Sequence, residues 1–308
     1  MKVIVLGSAA GGGFPQWNCN CPNCNGIRKG TIQARARTQS SIAVSENGDD
    51  WLLINASPDI LAQIRATPEL QPERGIRDTG ICAVLLMDAQ IDHITGLLML
   101  REGKPLPLYC TPSVWDDLSN GMPVAKVLSH YCGVTWHPVT PVKALGNEPR
   151  IQIPGLANIS ITALDLKSKA PPYSPHRDNP QVGDNIGLLI ENTSTGRKLF
   201  YAPGLGQIEP HINSAMSSAD CVLVDGTLWT QDEMIRLGLS KKTSADMGHL
   251  PQSGPGGMIE TLDALGARRK ILIHINNSNP ILDENSNEAA VLRRHDIEVA
   301  FDGMEITL

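Results

Sequence analysis

Three short runs limit this chain more than any other feature: "ICAVLLM" at 81–87, "DCVLVDG" at 220–226 and "RKILIHI" at 269–275. They are almost continuously apolar, rich in β-formers and far shorter than a membrane span, which is the pattern of strands buried inside a sheet. Such strands need cover on both faces. Around them, "SSIAVS" and "WLLIN" read as paired strands joined by the turn "ENGDD", and "MKVIVLG" reads as a first strand. "PLYC", "ISITALDL" and "NIGLLIEN" add further strands, and "STGRKLFYA" completes a hairpin. Between them "SPDILAQIRAT" reads as a helix with Ser57 as N-cap and Pro58 at its first position. "ITGLLMLREG" carries a helical stripe ending at Gly103, and "PGGMIETLDALG" is a helix that a glycine ends. Strand-rich stretches alternate with helices throughout, and 308 residues at 41% hydrophobic can bury a full core. The expectation is one large α/β domain over 1–308.

Charge narrows the function. A net charge of −6, with 26 Lys and Arg gathered into no basic stripe, argues against a nucleic-acid partner. No run reaches membrane-span length, so a soluble, cytoplasmic protein is expected. The stretch "VIVLGSAAGGG" has the look of a dinucleotide-binding turn, but Ala9 stands where the second glycine belongs and "FPQWNC" cannot continue a helix. These glycines are read as a close backbone approach.

Two clusters carry chemistry. In "WNCNCPNCNG", at 17–26, Cys19, Cys21 and Cys24 stand as C-x-C-x-x-C on a loop, a spacing that suits structural zinc. The other four of the seven cysteines, Cys82, Cys110, Cys132 and Cys221, lie scattered in apolar surroundings and read as buried thiols. The second cluster is "DAQIDH" at 88–93, where the buried run 81–87 meets a helix. Asp92 taken alone is a credible helix cap. The loop "KSKAPPYSPHRDNPQVGD" at 167–184 is long for a connection and its prolines exclude regular structure, so a task is expected of it.

DAQIDH resembles the H-x-H-x-D-H motif of the metallo-β-lactamase superfamily, with Asp88, Gln90, Asp92 and His93 at the four positions. "KILIHINNSNP" resembles that family's closing strand with its metal-binding histidine, here His274, and "MGHLPQSG" the segment that brings His249. With the Cys loop and "NASPDI", the chain is similar over its full length to the branch of that superfamily that serves the biosynthesis of pyrroloquinoline quinone (PQQ). The resemblance implies an αββα sandwich.

It also implies a site with departures from the two-metal pattern. Asp and Gln replace the first two histidines, Pro203 and Gly204 stand where a bridging Asp is expected, and only the distant His176 offers itself as the middle His. Asp92, His93 and His274 then remain as ligands, a two-imidazole, one-carboxylate set that suits mononuclear Fe(II) and oxygen chemistry. Asp88 and Gln90 are read as groups that orient ligands or hold substrate, and His249 as a ligand, proton donor or hydrogen-bond partner. Tyr173, His176, Arg177 and Asp178 are read as lid residues, with Arg177 and His176 as candidates for substrate binding. His130, His137, His211 and His295 read as surface residues. Under the resemblance the chain is an iron-dependent hydroxylase acting with dioxygen on the tyrosine ring of a Glu-Tyr-derived PQQ precursor. A metal-dependent hydrolase and a PQQ-binding carrier are the alternatives. Zinc is expected at the Cys loop; relatives in the resemblance sometimes supply a fourth ligand His three residues after the closing metal His, that position here is Asn277, and the fourth ligand is left unassigned.

Overall fold

Because each buried strand alternates its side chains between two faces, the apolar runs must supply two surfaces at once. They do so in a computed structural model that describes residues 1–146 and 148–308. The strands are β1 (Lys2–Gly7), β2 (Ser41–Ser45), β3 (Trp51–Ile54), β4 (Ile81–Leu85), β5 (Leu106–Cys110), β6 (Val134–Pro138) and β7 (Ile151–Ile153), then β8 (Leu156–Asp165), β9 (Ile186–Asn192), β10 (Arg197–Ala202), β11 (Cys221–Asp225), β12 (Arg269–Ile273), β13 (Ile297–Val299) and β14 (Glu305–Thr307). They form two seven-stranded sheets, ordered β14-β1-β2-β3-β4-β5-β6 and β13-β12-β11-β10-β9-β8-β7. Val3, Val5, Ile54 and Leu85 of the first sheet pack against Ile161, Leu188, Leu223 and Ile273 of the second. This is the inner core.

The helices are α1 (Pro22–Lys29), α2 (Ile60–Ala66), α3 (Ile91–Ile94), α4 (Pro112–Asp116), α5 (Val124–Leu128), α6 (Pro210–Ser218), α7 (Glu233–Arg236), α8 (Ser244–Met247), α9 (Met258–Asp263) and α10 (Asn287–Arg294). On the outer face of the first sheet, Leu53, Val84 and Leu86 meet Ile60 of α2, Ile94 of α3 and Val114 of α4. On the outer face of the second, Phe200, Val222 and Leu272 meet Met216 of α6, Leu262 of α9 and Leu292 of α10. Fully burying each such side chain contributes roughly 1.5–3 kcal/mol. The result is the αββα sandwich that the resemblance implied. No helix among the described residues is long and apolar enough to cross a membrane.

Two helix boundaries differ from expectation. α2 starts at Ile60, with Asp59 rather than Ser57 at the cap position. Ser57 Oγ instead accepts from Asp59 N at 3.2 Å and donates to Gln63, so it stabilises the turn that leads into the helix. The stripe from Ile94 to Gly103 is not one helix, for α3 gives way after four residues to a 3₁₀ segment over Thr95–Leu100. The cause is the backbone at 55–57. His93 O accepts from Ala56 N at 2.7 Å and Gly96 N donates to Ala56 O at 2.9 Å, so these groups serve tertiary pairing instead of a helix ladder.

The parallel strands β3 to β6 and β10 to β13 point their carboxyl ends to one rim. At that rim the glycine-rich segment after β1 joins the two sheets, since Ile275 N donates to Ser8 O and Ala10 N donates to Ile275 O, both at 2.9 Å. Gly11 lies beside Asp92, where an added Cβ would stand 3.3 Å from the carboxylate. Close approach, as read from the sequence, is the use made of this glycine.

Gly96 is the tightest point of the loop that follows β4, because a Cβ there would fall 2.1 Å from Ser57 O. Gly96→Ala should therefore destabilise the protein by about 1–3 kcal/mol through overpacking, read as a lower urea midpoint with an unchanged slope. An unchanged midpoint would show that the loop is free to move away.

Candidate metal centre

The rim where β4, β11 and β12 end is where the candidate ligands meet. After β4, Asp88 pairs through its backbone with Asn185 from the opposite sheet, and Gln90 stands at the residue before α3 with no capping bond from its side chain. Asp88 Oδ1 accepts from Gln90 N at 2.9 Å and lies 2.8 Å from His93 Nδ1. That bond fixes the ring. His93 Nε2 is thereby turned inward, where it is buried without a hydrogen-bond partner and 3.8 Å from Asp92 Oδ2.

The other half comes from the second sheet. His274 follows β12 directly and holds a left-handed backbone at φ 60°, a conformation that a non-glycine residue keeps only under constraint. Thr227 supplies that constraint, since its Oγ1 lies 2.9 Å from both His274 O and His274 Nδ1. His274 Nε2 then faces Asp92 Oδ2 at 3.3 Å. One donor atom each from Asp92, His93 and His274 lies within 4.8 Å of the others, and Asp225, His249 and His274 make a second such group.

Asp225 was not singled out in the sequence. It ends β11 in register with Ile273, and its buried carboxylate accepts from Leu205 N, Thr227 N, Thr227 Oγ1 and His249 Nδ1 at 2.6–2.9 Å. The signal that could have found it is its position: the Asp in "VLVDG" ends a buried run at the same rim as the His in "LIHI".

The electrostatics favour a cation. Burial alone would lower the His93 pKa, but Asp88 and Asp92 outweigh burial and hold it up at about 9. Burial likewise opposes the charged form of His249, and Asp225 overcomes it to raise the pKa. For Asp92, burial pushes upward while His93 and His274 pull it below the usual carboxylate range. An orphaned, buried imidazole nitrogen facing a carboxylate fits a divalent metal, which would be held by Asp92, His93 and His274.

A cavity of about 290 Å³ opens above these groups, and Asp88, Gln90, Arg177 and Lys242 line it. Tyr173 ties the proline loop to the motif by donating to Ala89 O, and Arg177 donates to Ala170 O. His176 is not in the cavity wall. Its Nδ1 lies 3.1 Å from Asp184 and its Nε2 lies 3.6 and 3.7 Å from Asp116 and Asp117, so it fastens the loop to the end of α4. The reading of His176 as a substrate contact is thus corrected to an anchor. Asp178 is exposed, and none of His130, His137, His211 and His295 lines the cavity. At the position of the missing bridging carboxylate, Gly204 forms part of the wall.

The thiols of Cys19, Cys21 and Cys24 form the remaining donor group, the first two on the loop that enters α1 and Cys24 in the first turn of that helix. Cys21 Sγ caps α1 by accepting from Cys24 N, and Asn277 Nδ2 stands 3.0 Å from Cys19 Sγ. The set is three soft donors held close together, which fits zinc. Cys110, Cys132 and Cys221 are buried and Cys82 partly so, and all seven cysteines are free.

Residues 50–275 match the model of the β-lactamase superfamily domain. The chain is 62% identical to coenzyme PQQ synthesis protein B of Azoarcus sp. (strain BH72) over 310 residues, covering all of both chains. It is 59% identical to the protein of the same name from Nitrosococcus oceani, again over the whole of both. It superposes on the crystal structure of Zn²⁺-bound PqqB from Methylobacterium extorquens with a TM-score of 0.89, at 37% identity and full coverage of both chains. The chain belongs to the coenzyme PQQ synthesis protein B family of the metallo-β-lactamase superfamily. In this PqqB-family chain the departures read in DAQIDH therefore stand at the metal rim itself.

Two measurements test the assignment. His93→Ala and His274→Ala should each abolish tight binding at this centre while zinc at the Cys loop remains, whereas Asp88→Ala should weaken binding about 10- to 100-fold by freeing the His93 ring. Metal content by mass spectrometry checks this, and full occupancy in either His variant would refute the ligand set. The second is pH. Metal must displace the proton that His93 keeps up to about pH 9, so affinity of the metal-free protein should fall about tenfold per unit below that pH and flatten above it. Competition with a coloured chelator reads the slope; a flat profile would show that no proton is displaced.

Proposed function

We propose that this chain is an Fe(II)-dependent oxygenase of PQQ biosynthesis that hydroxylates the tyrosine ring of a Glu-Tyr-derived precursor. The observation that carries the reading is the use made of Asp88. Its Oδ1 serves His93 Nδ1 and Gln90 N, so Asp92, His93 and His274 remain as a set of two imidazoles and one carboxylate around a single point. That donor set, with positions left open, suits Fe(II) and dioxygen. Bound there, iron would supply the redox chemistry that zinc lacks. Zinc belongs at the Cys loop in this reading, and the relative's Zn²⁺-bound crystal structure supports zinc binding in the family.

The chain's own residues would bind substrate and handle protons. Arg177 and Lys242 bring two cations to the cavity wall, where a dipeptide-derived substrate presents its carboxylates. Leu228 and Met234 offer apolar surface for the ring, and the volume of about 290 Å³ is near the lower end of small-molecule sites, roughly 300–1,000 Å³. Asp225 holds His249 by Nδ1, which leaves Nε2 to take up the proton that the ring loses on hydroxylation. Asp88 and Gln90 keep the metal loop in shape.

A hydrolytic reading rests on the second donor group, Asp225, His249 and His274, with metal-activated water as nucleophile. Against it, each oxygen of Asp225 already accepts two hydrogen bonds, which makes this carboxylate a support rather than a ligand. In a carrier, PQQ would occupy the same cavity with no turnover.

The test is isotopic. Fe(II)-loaded protein with an external two-electron reductant should consume oxygen and add the mass of one oxygen atom, taken from labelled oxygen gas, to a Glu-Tyr-derived substrate; zinc-loaded protein should be inactive. Incorporation from water with activity restored by zinc would establish the hydrolytic reading. PQQ binding without turnover under any metal would establish the carrier.

A further inference from the structure

The cavity wall contains an amide whose orientation its neighbours decide. Asn276 lies two residues beyond His274, half-buried on that wall, and its backbone N donates to Thr227 O at 3.1 Å. Its Nδ2 donates to Ser278 Oγ and stands 3.3 Å from Met234 Sδ. Ser278 in turn donates to Glu233 Oε1, and Trp229 N donates to Glu233 Oε2 at 2.6 Å. Ser278 and Glu233 are both buried. A serine hydroxyl has one proton, so Ser278 Oγ, having given its own to Glu233, can only accept from Asn276. Burial pushes the Glu233 pKa up, but Ser278, Trp229 N and Arg236 favour the carboxylate, which has no proton to return. The NH₂ of Asn276 is thus committed to the protein, and its Oδ1 is left without a hydrogen-bond partner among the described residues.

We propose that Asn276 Oδ1 accepts the hydrogen bond of the substrate's phenol O–H, so that Asn276 selects a tyrosine ring over a phenylalanine ring, with Ser278 and Glu233 as its positioning residues. The substrate class here rests on the oxygenase reading. Place and chemistry both point to the phenol. Asn276 adjoins Met234, which with Leu228 gives the cavity its apolar surface for a ring, whereas the carboxylates of a dipeptide are served by Arg177 and Lys242. A phenol that leaves water for an apolar surface needs an acceptor for its proton. A neutral amide oxygen suits that task, because it adds no negative charge to a rim that already holds Asp88, Asp92 and Asp225. The analogue without the hydroxyl is then rejected, since Oδ1 would face the edge of its ring with no donor.

The test reads binding rather than turnover, so its failure is separable from failure of the oxygenase reading. Full-length, zinc-loaded protein is titrated by calorimetry with the dipeptides Glu-Tyr and Glu-Phe, and with Glu-(4-fluoro-Phe), whose ring is substituted but carries no donor. The unmutated protein should prefer Glu-Tyr over the other two about 10- to 100-fold. Asn276→Ala should reduce that preference to less than about threefold, and Ser278→Ala, which leaves the amide free to turn, should lower it by at least about threefold. Each variant is compared with itself on several ligands, so a general loss of folding or of metal cancels from the ratio. A preference unchanged in Asn276→Ala, equal binding of the three dipeptides to the unmutated protein, or binding of none of them overturns the assignment. A preference unchanged in Ser278→Ala overturns the positioning role. Selective binding that Asn276→Ala abolishes, with no oxygen uptake by the Fe(II) form, would refute the oxygenase reading and leave Asn276 established as the phenol contact.

Discussion

The contact on which the rest depends is the approach of His274 Nε2 to Asp92 Oδ2, 3.3 Å across the rim between two separate sheets. Neither sheet contains a site by itself. Asp92 and His93 belong to α3, which follows β4, and His274 to the end of β12, and they meet only if the sheets keep one relative placement. Three backbone connections hold it: Asp88 with Asn185, Ala9 with Ile275, and Val142 with Leu164. The left-handed backbone of His274 costs on the order of 1–3 kcal/mol, a strain that Thr227 and the flanking pairs offset. Strain of that kind persists where the surroundings leave no alternative.

Each imidazole at the rim is turned by a partner on its Nδ1 side: Asp88 for His93, Thr227 for His274, Asp225 for His249. With Nδ1 engaged, Nε2 is the nitrogen left to face the cavity, and the three rings lie close, with centroids 5.4 Å apart for His93–His274 and for His249–His274. Three carboxylates stand among these rings. If the imidazoles are neutral the group carries a large negative charge under burial, and protons or a divalent cation must compensate it. The raised pKa values of His93 and His249 record the proton solution, and metal competes for the same charge.

The layers of the fold were legible in the sequence because strands buried on both faces leave continuous apolar runs, and "ICAVLLM", "CVLVD" and "RKILI" all became strands. Helix limits were less legible. Ser57 and the stripe after Ile94 looked helical by local rules, but the backbone at 55–57 and 93–96 pairs with itself across the loop, and no local pattern announces that. At the site, the clustered residues Asp88, Asp92 and His93 were visible from spacing, and His274 from the resemblance. Asp225 and Thr227 were not, since an Asp and a Thr at a strand's end have many common uses and only the register of β11 beside β12 gives them theirs. His176 failed in the opposite way: a histidine in a functional loop invited a functional role, and its carboxylate neighbours come from α4 and Asp184, far from any motif.

An exchange of roles within one motif accounts for the chemistry proposed. In the superfamily pattern the first two positions would carry imidazoles for a first metal, and here Asp88 and Gln90 occupy them. A carboxylate at 88 is not simply a weaker ligand, because its short side chain reaches His93 Nδ1 at 2.8 Å and becomes the partner that orients a remaining ligand. Losing the first site and strengthening the second are then one change. In the proposed reading the vacated wall, with Gln90, Arg177 and Lys242 around it, would hold an organic substrate beside the metal. A two-metal hydrolase would fill that space with its other ion, whereas an oxygenase needs it open to hold a ring next to the place where oxygen is activated.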